Sequence, residues 1–159
     1  MLCVLPLSAQ KMSKEEKAAA AQLAYDAALQ SINEKTWVIV PQSYTLEDGS
    51  FEMNSDDAVF ISYEKDHALC QGWIVGGSNN QGYLADVTTY DVNVDKKGNI
   101  KISMVVSGRM WRGSYKISVR KNSNEAEVIY NPPSGAAKRF QGLLVPIVGA
   151  TYNRRSNPI

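Results

Sequence analysis

The sequence predicts an α+β, mainly β protein: one N-terminal helix packed on a strongly curved antiparallel sheet, a flattened barrel, with a two-sheet sandwich as the alternative. Three observations carry that expectation. A helix-start signature at Ser13 opens an alanine-rich stretch, the apolar spacing turns from helical to alternating beyond Asn33, and the clearest alternating segments are joined by short polar turns. Strands wet on one face must bury the other against a second layer or under a helix, which favours a curved sheet carrying the helix.

The helix comes first. Ser13 and Glu16 form a capping box, in which each side chain satisfies the other residue's free backbone donor. Ala18 to Ala21 are strong helix formers, and Ala21, Tyr25, Ala28 and Ile32 fall on one stripe with Leu29 beside it. Burying Leu29 and Ile32 would contribute about 1.5 to 3 kcal/mol each, so the helix is expected to dock on the domain.

Alternation is clearest in residues 89–94 and 100–106. Val92 and Val94 face one way, as do Ile100, Ile102, Met104 and Val106, around the turn Asp95-Lys96-Lys97-Gly98-Asn99. Gly98 is expected to supply the positive φ of that turn. A second hairpin places Tyr115, Ile117 and Val119 opposite Ala126, Val128 and Tyr130 across a turn at residues 122–124. Less regular strands are expected over residues 36–40, 58–63, 69–75 and 139–145, the last nearly all apolar and therefore central. Pro132-Pro133-Ser134-Gly135 interrupts before that strand, residues 76–82 read as a flexible loop, and residues 152–159 read as a frayed tail. The expected organisation is a signal-like segment at 1–10, one helix-plus-β domain at 13–147 and a C-terminal tail at 148–159.

With 159 residues the chain is long enough for one domain with a real core. Its 17 basic and 16 acidic side chains leave a net charge of +1, which provides no broad field for nucleic acid. No apolar segment after Gln10 reaches the roughly 20 residues that span a bilayer as a helix.

Met1 to Gln10 is an apolar run closing on a small residue, like the back half of a secretion signal. The basic start is missing and Leu7 stands where a small residue is preferred, so Met1 reads as internal to a longer signal cut after Ala9. Cys3 would leave with it. Cys70 would then be the sole thiol, and the fold would rest on its core without a disulfide. An exported protein of the periplasm or cell envelope is the expectation.

The order of pieces also has a specific likeness. The alanine-rich helix, Phe51 to Val59, Gly76-Gly77, the Asp95 to Asn99 turn leading into Ile102-Ser103-Met104, Ser123 to Val128, and Gly142-Leu143-Leu144-Val145-Pro146 together resemble domain of unknown function 4251. That family consists of small exported proteins of gut-type Bacteroidetes, and the likeness covers roughly Ala18 to Pro146. It implies an envelope location and a helix-plus-β domain, and it carries no established activity or catalytic residue. The chain departs from it at Gly108 to Gly113, where Trp111 and two arginines replace a plainer turn.

No catalytic, cofactor or metal-binding residue is assigned. His67, with Cys70 three positions on, suggests a thiol nucleophile and its base, but residues three apart on a strand point to opposite faces. An exposed histidine and a small buried cysteine are the preferred reading. One histidine and one cysteine make no zinc set, and Asp56 and Asp57 lack the spacing of a calcium loop, so a turn is preferred there. Gly76, Gly77 and Gly82 lack the lysine of a phosphate loop.

The candidate ligand or partner surface is Arg109, Trp111 and Arg112, an aromatic between two guanidinium groups, with Trp73 framing the same groove. The plainer alternative folds Trp111 over the core edge. Three functions are weighed in order: a non-catalytic binding module for a small apolar or saccharide ligand, held in a groove or inside the curved sheet; an envelope assembly protein that holds a partner chain at a sheet edge or the Trp111 loop; and, last, a hydrolase.

Overall fold

The computed structural model describes residues 11–155 and 157–159; the signal-like segment Met1 to Gln10 lies outside them. Helix α1 spans Lys14–Glu34 and opens as expected: the Ser13 backbone donates to Glu16 Oε2 at 2.7 Å and the Glu16 backbone to Ser13 Oγ at 3.1 Å. Lys35, in the left-handed region at φ 59°, ends it and turns the chain into the first strand.

Nine strands follow: β1 Thr36–Thr45, β2 Phe51–Met53, β3 Phe60–Glu64, β4 His67–Gln71, β5 Tyr83–Val94, β6 Ile100–Ser107, β7 Arg112–Val119, β8 Glu125–Asn131 and β9 Lys138–Pro146. They form one antiparallel sheet in the order β2-β1-β3-β4-β5-β6-β7-β8-β9, and β1 also pairs with β9 from Trp37↔Pro146 to Thr45↔Arg139. That seam closes eight strands into a barrel and leaves β2 outside the ring, hydrogen-bonded only to the far end of β1. The closure decides for the barrel and against the sandwich. It also corrects the central place expected for residues 139–145. In a ring every strand has two neighbours, and β9 alternates, with Phe140 and Leu144 inside and Arg139 and Gln141 outside.

Alternate residues of each strand fill the interior, as an eight-stranded barrel has room for side chains and little else. At the lower mouth α1 lies across the opening. Ala28 and Ile32 enter the core, Tyr25 donates to the Gly98 carbonyl at 2.9 Å across the barrel, and Tyr90 donates to the Ile32 carbonyl at 3.0 Å. The first turns of α1 overhang and are exposed. The upper mouth carries the longer connections. There a single 3-10 turn, Trp73–Val75, drops Ile74 and Val75 into the core.

Two elements differ from expectation near that turn. The strand expected over 69–75 stops at Gln71 because Gly72 sits at φ +103°, where a Cβ would meet Val59 at 2.6 Å. The loop at 76–82 is tied down, with Gly72 N donating to Ser78 O at 2.8 Å and Trp73 N to Asn79 Oδ1 at 2.9 Å.

The C-terminal residues are a strap, not a frayed end. Tyr152 packs on Phe60 with ring centroids 4.8 Å apart, Arg155 pairs with Asp56 at 2.6 Å, and Arg154 pairs with Glu64. Buried Gln71 donates to Asn153 O at 3.1 Å and accepts from Arg155 N at 3.1 Å. The strap thus covers a second apolar cluster, Val38, Phe60 and Leu69, on the outside of the barrel.

Candidate functional site

The four residues expected to share one groove are divided between two places. Trp111 is only 2% exposed, its indole Nε1 donates to Tyr115 Oη at 2.9 Å, and Tyr115 in turn donates to the Val75 carbonyl at 2.5 Å. It closes the upper mouth from inside, so the plainer alternative holds for it. Arg109 and Arg112 are exposed on either side of a shallow depression of about 240 Å³, and Arg112 Nε donates to the Gly108 carbonyl at 2.9 Å. Trp73, 41% exposed, lies on the other side of the 3-10 turn in a separate cleft. The reason is chemical. A buried indole needs a partner for its N–H, and Tyr115 supplies one to Trp111, whereas among the described residues the Trp73 indole N–H makes no hydrogen bond.

The cleft around Trp73 has a volume of about 430 Å³, within the usual range for small-molecule sites. The end of β1, the 3-10 turn and the connection into β9 build it. Tyr44 stands edge-on to Trp73 at 5.2 Å, while Lys138 holds its ammonium 5.3 Å from the indole centroid and donates to the Trp73 carbonyl at 2.5 Å. Leu46, Ile74 and Ala136 supply apolar lining.

Charge in this cleft is unevenly satisfied. Among the described residues Lys138 joins no salt bridge, and the Trp73 carbonyl engages one of its three donors. Partial burial draws its pKa below the ordinary lysine value. Asp48, by contrast, is held by the Ser50 backbone and hydroxyl at 2.8 and 2.5 Å, and these bonds lower its pKa. Tyr44 donates to the Glu52 carboxylate, which raises the phenol's pKa. The cleft therefore presents an aromatic face and a cation with spare donors.

Sequence reasoning missed Tyr44 and Lys138. Tyr44 had a signal: strand alternation continues past Val40, and β1 runs to Thr45. Lys138 had none, because only the seam between β1 and β9 brings it over Trp73.

His67 and Cys70 do not meet. Cys70 faces the barrel interior, fully buried, and burial pushes its thiol pKa well up. His67 lies on the opposite face of β4, with Nε2 3.8 Å from Glu64. Asp56 accepts from the Ala58 backbone at 3.0 Å, a turn that delays the strand expected from residue 58 until Phe60.

No protein-family model matches the chain, and no curated protein matches it either. Among solved structures it is similar to a DUF4251 family protein from Bacteroides eggerthii DSM 20697, with a TM-score of 0.69 at 19% identity. The match covers 85% of this chain and 99% of that one. No helix among the described residues is long and apolar enough to cross a membrane. The chain thus has the fold of a protein of the DUF4251 family, the family that its own order of motifs resembles.

Proposed function

We propose that the protein is an exported, non-catalytic binding module of the cell envelope, and that its ligand is a saccharide held in the rim cleft at Trp73. One observation carries this reading. The barrel interior is packed with side chains, and at its rim the exposed Trp73 indole lies under Lys138, a cation with unused donors. An aromatic face suits the C–H face of a sugar ring, and spare ammonium donors suit its hydroxyls.

Trp37 and Trp111 are 0% and 2% exposed, so a ligand-induced change in tryptophan emission would report on Trp73. Titration with a panel of oligosaccharides should shift emission for at least one class, and Trp73→Ala should abolish that binding while the barrel stays folded. Affinity should also fall as pH rises through the lowered pKa of Lys138, because the neutral amine loses both its charge and a donor. Silence across the panel would remove the reading.

A second reading has its own observation. The outer edge of β2 is unpaired among the described residues, and Phe51 and Met53 beside it are 56% and 74% exposed. An edge of this kind accepts a partner strand. Cross-linking in envelope fractions through a photoreactive group at Met53 tests it, and a strictly solitary product would count against it.

A further inference from the structure

We propose, resting on the saccharide reading above, that the ligand is an acidic oligosaccharide which leaves the Trp73 cleft over Arg139 and continues along the outer face of β6 to β9, where Lys101 and Lys116 meet its anionic groups. Two observations support a long ligand. A second trough, of about 450 Å³, lies on the outer face, and it shares Tyr44, Thr45 and Arg139 with the rim cleft, so the two are continuous around Arg139. The register then lays out its floor. Ser103, Lys116, Ile129, Arg139, Thr45 and Phe51 stand in one row across six successive strands. At 4.7 to 4.9 Å per strand that row runs roughly 24 Å, the length of several sugar rings.

Charge decides the class. In the rim cleft Lys138 stands against Glu47 and Asp48, and Arg139, at the junction, is counted with the outer face, so the first ring meets no net positive charge. On the outer face Lys101, Lys116 and Arg139 stand against Glu127 alone. Lys101 donates to Ser118 Oγ at 2.6 Å, and none of the three cations joins a salt bridge among the described residues. Ile129 and Phe51 interrupt the cations with apolar surface, as a chain of rings bearing spaced carboxylates or sulfates requires.

The test compares three oligosaccharides of equal length with the full chain: an oligogalacturonate, a sulfated oligomer and a neutral oligomer. One or both acidic oligomers should bind about tenfold more tightly than the neutral one at low ionic strength, and most of that preference should vanish near 0.5 M salt. Lys101→Ala with Lys116→Ala should erase the preference and leave neutral binding and the Trp73 emission change intact. A thermal melt matching the parent confirms that this exposed pair was not structural. Equal affinity for acidic and neutral oligomers, or a preference that survives the double substitution, overturns the inference and leaves the rim reading standing. Binding of any oligomer that survives Trp73→Ala overturns the rim reading, and with it the path proposed here.

Discussion

The two mouths of the barrel are closed by different means. The lower mouth is sealed by α1, whose backbone bonds are satisfied within itself, so Ala28 and Ile32 can be laid across the opening with few outside partners. The upper mouth is sealed piecemeal by the 3-10 turn and Trp111, with the connections at 45–60, 72–82 and 132–137 around them. Connections must satisfy their own polar groups from side chains and neighbours, and they meet imperfectly at the rim. A self-sufficient lid leaves a smooth end, whereas a lid assembled from turns leaves the cleft at Trp73.

Substitutions can break or sharpen that contrast. Trp111→Ala should have the largest effect, a loss of about 3 to 5 kcal/mol in urea unfolding, because it empties the upper mouth and removes the donor to Tyr115. Ile32→Ala should cost about 2 to 4 kcal/mol by the same measurement, since a smaller side chain leaves the lower mouth. If Ile32→Ala proved the more damaging of the two, the helix rather than the turns would hold the barrel together. Ser13→Ala should have the smallest effect. It breaks the capping box, but the overhanging first turns are exposed, so helicity should fall by circular dichroism with at most about 0.5 kcal/mol of global stability lost. A global loss near 2 kcal/mol would mean that the overhang is packed.

Local signals in the sequence mapped well onto the structure. Ser13 with Glu16, Gly98 at φ 87° and the alternation of residues 100–106 and 115–130 each depend on near neighbours, and each is found as expected. Trp111 was legible in hindsight. It shares two-residue parity with Tyr115, Ile117 and Val119, all of which point inward. The strap also left a trace. Phe60 to Tyr63 is buried on both faces, which a barrel wall allows only where something covers its outside.

What could not be read was anything set by pairing between distant segments. The continuity of the two troughs and the seating of Lys138 over Trp73 both follow from the seam of β1 with β9. Composition and spacing do not encode that contact.

The same seam governs how the chain comes into being. During synthesis β1 emerges early, yet one flank of it stays unclaimed until β9 has been translated. A nascent polypeptide stopped short of Lys138 would hold two open β borders, on β1 and β8, and would be prone to clump or be degraded. Premature termination in this gene should therefore behave as a null allele.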